Sequence, residues 1–213
     1  TFATLPLPGI QPCIMDNDGN ELNSLNVEGK LCIKFPWPSM ARTIYGDHKR
    51  FKDTYFSTFE NMYFTGDGCI RDNEGMYRIT GRVDDVIIVS GHNLGTAEIE
   101  SAIDEHPNVC ETAIVGYPHK IKGNAIYAFV ITQGDIKNEI NTRAEINNLI
   151  VKNVGPIAKV EKIQFVKGLP KTRSGKIMRR ILRKIASNDF SNFGDTSTLL
   201  DPNVVEEIIR EKI

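Results

Sequence analysis

Closely spaced turn-forming residues in the first 80 positions constrain the fold of this chain more than any other feature. The turn signals are Asp18-Gly19-Asn20, Pro36-Trp37-Pro38, Gly66-Asp67-Gly68 and Asp72-Asn73-Glu74-Gly75. Short apolar runs alternate with them, a pattern typical of antiparallel strands joined by tight turns. The runs are Pro12–Met15, Gly29–Phe35, Thr54–Phe59, Met62–Thr65 and Met76–Thr80. The first part of the chain is therefore predicted to be β-rich.

The pattern changes after Gly81–Asp85, where strands begin to alternate with helices. The predicted strands are Val86–Val89, Ala113–Tyr117, Ala125–Thr132 and Val160–Val166. Four helices are predicted. The first starts with Thr96 as its N-cap and ends before Pro107, and the second spans Asn141–Asn153. The third spans Lys176–Ala186, and the fourth starts at Asp201-Pro202. This order indicates an α+β fold with two domains, 1–83 and 84–213.

Composition excludes some classes of protein and partner. The chain has 213 residues, 40% hydrophobic and 25% charged, with a net charge of −1, so it gives no electrostatic sign of a nucleic-acid or membrane partner. No apolar run approaches the roughly 20 residues of a membrane span. The four cysteines form no C-x-x-C pair, which argues against a metal or disulfide framework and predicts a reducing, cytoplasmic setting.

Two charged residues flank a predicted hairpin. Asp67 stands between glycines that permit a sharp turn and close approach of a ligand, and an ionised carboxylate can accept hydrogen bonds from a pair of ribose hydroxyls. Arg82 can reach a phosphate or ribose oxygen. The alternatives are a β-turn aspartate and a surface arginine paired with Asp84 or Asp85. Because one hairpin joins Asp67 and Arg82, we expect both near one edge of the first domain.

The segment Val89–Glu98 runs from a strand through a glycine-containing loop to the N-terminus of a helix. Such a connection can offer backbone N–H groups to an anion or an amide. An ordinary strand–helix connection is the alternative.

The strongest local signal is the basic segment Pro170–Arg180. Seven basic residues lie between Lys171 and Lys184. They fit a solvated helix face, a phosphate-binding loop, or a nucleic-acid surface, although no aromatic residues are interleaved with them. The segment is not a Walker A motif, because Pro170 replaces its first glycine and Ile177 its Ser or Thr.

Several short runs, in this order, resemble the adenylate-forming enzyme superfamily, and the similarity to its acetyl-coenzyme A synthetase family is close. The runs are Gly46–His48, Thr54–Phe59, Asn61–Gly68, Ile79–Asp85, Gly95–Glu100 and Pro170–Ile185. The resemblance implies the β-rich end of a large N-terminal domain followed by a small mobile α+β domain. It also implies a ligase that makes acetyl-CoA, AMP and pyrophosphate from acetate, ATP and coenzyme A through an acetyl-adenylate.

The resemblance also assigns roles to residues. Asp67 would hold the ribose hydroxyls of ATP or AMP, and Arg82 would contact the ribose and phosphate side of the nucleotide. Asp84 would be the hinge of a domain rotation. Ser90 and Gly91 would lie along the pantetheine arm of coenzyme A, and Lys176 would be the catalytic lysine of adenylation.

Two further implications concern ions and modification. Mg²⁺ is expected with ATP. His106 and Val109 match positions of a family metal site, whereas Asp104, the third candidate ligand, stands where a different residue usually contributes its carbonyl. A helix-face histidine packed near the core is the alternative. Lys176 is a candidate for reversible acetylation by a lysine acetyltransferase and a deacetylase.

The sequence departs from the family pattern at two positions. Asn93 and Val151 stand where arginines are expected, for the nucleotide phosphate and for the coenzyme A nucleotide respectively. Because no acyl-pocket wall is identifiable, a synthetase for another short acid remains an alternative. A non-catalytic nucleotide- or coenzyme-binding module is another.

Overall fold

The computed structural model describes residues 2–134, 136 and 138–213. It divides into one compact unit that ends at Asp84 and a second that runs from Asp85 to Ile213. A single 3₁₀ turn, Val83–Asp85, spans the point in the sequence where the units meet. The assignment of 1–83 to a large N-terminal domain and of 84–213 to a mobile C-terminal domain stays a prediction.

The first unit contains a four-stranded antiparallel sheet in the order β1-β2-β3-β4. Its strands are β1 (Pro12–Met15), β2 (Val27–Ile33), β3 (Tyr63–Arg71) and β4 (Tyr77–Arg82). Cys13, Met15, Cys32 and Phe59 form its small buried core. The β-rich prediction is confirmed for four of the five apolar runs.

The fifth run, Thr54–Phe59, was predicted as a strand, and this is wrong. Helix α1 spans His48–Tyr55. The Asp47 side chain caps it by accepting a hydrogen bond from the Arg50 N–H at 2.9 Å, and Phe51 is buried on its inner face. The aromatic and β-branched residues favour a strand locally, but the cap and the burial of Phe51 select a helix.

The second unit is built on a five-stranded sheet. Its strands are β5 (Ile87–Val89), β6 (His92–Leu94), β7 (Val109–His119), β8 (Gly123–Thr132) and β9 (Lys162–Phe165). The helices are α2 (Thr96–Asp104), α3 (Glu139–Asn153), α4 (Arg179–Ala186) and α5 (Asn203–Arg210). β8 is central: it pairs antiparallel with β7 and β5 and parallel with β9. Among the described residues of the chain, no helix has the length and apolarity needed to cross a membrane.

The side chains of β8 alternate between the two faces of this sheet. Ile126, Ala128 and Val130 pack with residues of α2 and α3 on one face. Tyr127 and Phe129 pack with residues of α4 and α5 on the other. Because successive strand residues point to opposite faces, one strand supplies both cores.

The start of α2, strand β6 and the start of α4 differ from prediction in the second unit. Gly95 rather than Thr96 is the N-cap of α2, and no side chain caps this helix. Strand β6 was not predicted, because three residues without apolar alternation carry no strand signal. Helix α4 begins at Arg179 rather than at Lys176, because the preceding residues form a hairpin.

Candidate functional site

The β3–β4 hairpin brings Asp67 and Arg82 into direct contact. They are paired across the ladder, and Arg82 Nη1 lies 3.3 Å from Asp67 Oδ1. The same nitrogen donates to the Thr65 carbonyl at 3.0 Å, and Nε donates to Asp84 Oδ1 at 3.1 Å. The expected hairpin is confirmed. Gly66–Gly68 is not its turn, however, since these residues lie within β3, next to a register shift.

Gly66 and Gly68 are required by close packing across this hairpin. Gly66 has φ +80°, and a Cβ there would lie 2.7 Å from Arg82 Cζ. A Cβ at Gly68 would lie 2.6 Å from Thr80 Oγ1. The missing side chains therefore let the guanidinium lie against the strand backbone.

Carboxylates keep Arg82 charged and oriented. Burial lowers its pKa, but hydrogen bonding and charge from Asp84 and Asp67 outweigh this and leave the pKa above its ordinary value. The side chains of Asp67 and Arg82 are 30% and 50% exposed, so both can still be reached by a ligand. The pair thus offers an acceptor for hydroxyls beside a donor for anionic oxygens.

Ser90 and Gly91 form the tight turn between β5 and β6. Both have positive φ, +49° and +85°, as a two-residue type I′ hairpin turn requires. The Ser90 N–H donates to the Lys122 carbonyl at 3.0 Å. A Cβ at Gly91 would meet no atom within 4 Å, so open space lies beside the turn. The predicted loop leading directly into a helix is wrong, since β6 intervenes, with Asn93 exposed on it.

Lys176 lies on a short hairpin, not on a helix. Lys171 and Ile177 form an antiparallel bridge, and the Thr172 N–H donates to the Lys176 carbonyl at 2.8 Å. The Gly175 N–H donates to the Thr172 carbonyl at 2.8 Å, and Gly175 has φ +83°. This is a three-residue hairpin closed by a left-handed glycine. The Thr172 hydroxyl also accepts from the Lys176 N–H at 3.1 Å, which fixes the backbone of the exposed lysine.

Most of the surrounding basic residues are paired with acceptors. The ion pairs are Lys171–Glu111, Arg179–Glu100, Arg183–Asp85 and Lys184–Asp189, at 2.7–2.9 Å. Arg180 donates to the Asp195 carbonyl. Within the described part of the chain, only Arg173 and Lys176 of the seven have no side-chain hydrogen bond or ion pair. The segment is therefore not a uniform basic surface.

His106 lies in a buried, hydrogen-bonded position. It is 4% exposed, its Nε2 lies 3.1 Å from Glu145 Oε2, and its Nδ1 accepts from the Asn108 N–H at 3.2 Å. The His106 carbonyl accepts from the Val109 N–H, and Asp104 is exposed. No cluster of three or more His, Cys, Asp or Glu side chains suited to a metal occurs among the described residues. The metal site at Asp104, His106 and Val109 stays a prediction without support from side-chain geometry.

Sequence reasoning missed residues that hold the Lys176 hairpin. Thr172 could have been recognised, because Thr-Arg-Ser-Gly is compatible with a short hairpin ending in a left-handed glycine. Glu100 and Glu111 carry no local signal, since they contact the hairpin region across large sequence separations.

One part of the chain matches a known protein family. Residues 98–176 match the AMP-binding enzyme C-terminal domain. Over these residues the chain is therefore similar to the C-terminal domain of AMP-binding enzymes.

Nearly the whole chain is similar to one third of each of several acetyl-coenzyme A synthetases. It is 57% identical over 210 residues to the enzyme of Escherichia coli K12 and 56% identical over 210 residues to that of Methylorubrum populi. Each match covers 99% of this chain and 32% of the relative. The chain thus spans about a third of the length of the curated relatives it matches.

Several solved structures have a similar fold. The anthranilate CoA ligase AuaEII, in complex with anthranoyl-AMP, has a TM-score of 0.75 at 26% identity, over 86% of this chain and 34% of that one. ATP-bound MatB from Rhodopseudomonas palustris has a TM-score of 0.70 at 27% identity, over 84% and 34%. The amide bond synthetase McbA from Marinactinospora thermotolerans has a TM-score of 0.74 at 25% identity, over 86% and 36%. The predicted α+β architecture is confirmed.

Proposed function

We propose that this chain is the C-terminal part of an ATP-dependent acetate–CoA ligase. The observation that carries the proposal is its 56–57% identity to acetyl-coenzyme A synthetases over 99% of its length. In the first half-reaction, an acetate oxygen attacks the α-phosphorus of ATP and pyrophosphate leaves. In the second, the deprotonated thiol of coenzyme A attacks the acetyl carbonyl and AMP leaves.

The β3–β4 hairpin holds the nucleotide in this proposal. Asp67 accepts hydrogen bonds from the ribose hydroxyls, and Arg82 donates to the ribose and phosphate oxygens. The support is the contact between the two side chains and their partial exposure. Because Asp67 and Asp84 already orient Arg82, little side-chain entropy is lost when the nucleotide binds.

Lys176 acts in the first half-reaction. A compact ammonium group on a flexible stem can contact both the acetate oxygen and the α-phosphate as negative charge develops. Its support is the exposed lysine on a fixed hairpin whose basic neighbours are mostly paired. Rotation about Asp84 would withdraw Lys176 and bring Ser90 and Gly91 to the pantetheine arm, which is a gating motion. Acetylation of Lys176 would remove its charge and stop adenylation.

Mg²⁺ enters this proposal only as the partner of the ATP phosphates. Bound to the ATP phosphates, it would neutralise charge on the pyrophosphate leaving group. The described residues supply no side-chain cluster for it, so no step is assigned to a metal held by this chain. A cytoplasmic location likewise remains a proposal, which cell fractionation would test.

The test is a substrate panel with the full-length protein. Pyrophosphate exchange into ATP and CoA thioester formation are measured with acetate, propionate, butyrate, malonate and anthranilate. We expect acetate to give the highest kcat/KM in both assays. Preference for another acid would identify a synthetase for that acid, and no exchange with any acid would favour a non-catalytic binding module.

A further inference from the structure

Two ion pairs anchor the hairpin that carries Lys176. Arg179 Nη2, at the start of α4, donates to both carboxylate oxygens of Glu100, at 2.8 and 2.7 Å. Glu100 lies on α2 and also accepts from the Ile114 N–H of β7 at 2.8 Å. On the other leg, Lys171 Nζ lies 2.7 Å from Glu111 Oε2 of β7. Each leg of the hairpin is therefore held to the body of the unit by a charge pair.

The segment around Leu199 adds a third support by backbone pairing. Thr172 and Leu199 form an antiparallel bridge. The Arg173 N–H donates to the Thr198 carbonyl at 3.0 Å, and the Leu200 N–H donates to the Lys171 carbonyl at 2.9 Å. Leu199 itself is buried in the core beneath α4 and α5. The hairpin is thus fixed on the side opposite the Lys176 leg.

The two ion pairs that anchor the hairpin differ in their exposure to solvent. The Glu100 side chain is 13% exposed and that of Arg179 25%, whereas Lys171 and Glu111 are about one-third exposed. Arg179 is three residues from Lys176 and opens the helix that follows the hairpin. The less exposed pair is the stronger constraint, since solvent screens it less.

We propose that Glu100 and Arg179 are positioning residues for the adenylation step, which they serve by fixing the hairpin of Lys176. This inference rests on the proposed function. A misplacement of about 1 Å at a reacting group can reduce the rate by about 100-fold. The pair touches no substrate in this account and acts only through Lys176.

Glu100→Gln is the most informative variant. A glutamine oxygen can still accept from the Ile114 N–H, but the neutral amide no longer neutralises Arg179. The matched control is Asp189→Asn, which breaks the ion pair of Lys184 in the last turn of the same helix. Arg179→Lys keeps the charge and Arg179→Gln removes it. Circular dichroism identifies the variants that fold. If Glu100→Gln does not fold, the comparison of Arg179→Lys with Arg179→Gln tests the inference.

The experiment measures both half-reactions of the full-length enzyme. In Glu100→Gln we expect the kcat of acetate-dependent pyrophosphate exchange to fall about tenfold to 100-fold. The KM for ATP and the rate of thioester formation from added acetyl-adenylate should stay near wild type. Arg179→Lys should recover activity relative to Arg179→Gln, and Asp189→Asn should match wild type.

A double variant separates positioning from general damage. If Glu100 acts through Lys176, then Glu100→Gln adds little to the loss caused by Lys176→Ala. Additive losses, or equal losses in both half-reactions, would overturn the inference while leaving the ligase assignment intact. No exchange in the wild-type enzyme would overturn the ligase assignment and the inference together.

Discussion

Two hairpins, one in each unit, carry the main charged residues of the proposed function, and these residues are paired differently. In β3–β4, Arg82 is hydrogen-bonded to Asp67 on the partner strand and to Asp84 in the 3₁₀ turn that follows the hairpin. In the hairpin of Lys176, neighbouring cations are paired outward with Glu100 and Glu111, while Lys176 has no such partner among the described residues. A charged side chain that is already oriented is suited to holding a ligand throughout the reaction. A charged side chain without a partner is suited to contacting the substrate during one step only.

The first prediction tests whether the Arg82 geometry depends on Gly66. Gly66→Ala places a methyl group against the guanidinium and strains a residue with positive φ. We expect ATP affinity to weaken about tenfold, the size of one lost charged hydrogen bond. Isothermal titration calorimetry on the full-length protein measures this.

The matched control is Gly75→Ala, which has the same φ of +80° but no atom within 4 Å of the added methyl group. It should lower stability without changing ATP affinity. Equal losses of affinity in both variants would mean that backbone strain, not displacement of Arg82, is responsible.

The sequence predicts the contacts of the first hairpin but not those of the second, and the reason is physical. Asp67 and Arg82 lie on adjacent strands joined by a short turn, so local turn signals were enough to bring them together. The pairing of Glu100 with Arg179 connects residues 79 apart in sequence. It depends on how α2 and α4 pack on the sheet, which no local pattern encodes.

Local signals also failed where two structures compete for the same residues. Thr54–Phe59 has strand-forming side chains, yet Asp47 and Phe51 select helix α1 upstream. Ile177 continues the apolar stripe of α4, but the left-handed Gly175 and the bridge from Lys171 to Ile177 delay the start of the helix to Arg179.

The second prediction separates the half-reactions at Gly91. Gly91→Asn keeps a residue that tolerates positive φ, but it fills the open space beside the turn with a side chain. We expect thioester formation to slow several-fold while pyrophosphate exchange is unchanged, the reverse of the pattern expected for Lys176. Gly123→Asn is the control, because that glycine also has positive φ and open space. Slower exchange in Gly91→Asn would contradict the placement of Gly91 along the pantetheine arm.

The third prediction concerns the stability of the two units at high pH. Burial raises the pKa of Cys32 to about 12 and that of Cys69 to about 11, from an ordinary value of 9.0. Burial likewise raises the pKa of Tyr127 to about 12, from 10.0. These groups stay protonated in the folded state while they ionise in the unfolded chain. Stability is therefore retained below the ordinary pKa values and falls as pH rises above them.

The expected result is that the first unit loses stability from about pH 9 and the second from about pH 10, by at most about 1.4 kcal/mol per pH unit for each group. Hydrogen exchange followed by mass spectrometry resolves the two units. Cys32→Ala should flatten the pH dependence of the first unit only. An unchanged pH dependence in that variant would rule out Cys32 as a source.

The most direct test of the account is acetate-dependent exchange of pyrophosphate into ATP by the full-length enzyme and its Lys176→Ala variant. Arg173→Ala is the control, because Arg173 is the other exposed cation of the hairpin without a side-chain partner in the described structure. We predict that Lys176→Ala lowers exchange by about 100- to 1000-fold. Thioester formation from added acetyl-adenylate should be nearly unchanged, and Arg173→Ala should remain close to wild type. Exchange that survives in Lys176→Ala, or equal loss in both half-reactions, would contradict the assignment of Lys176 to adenylation.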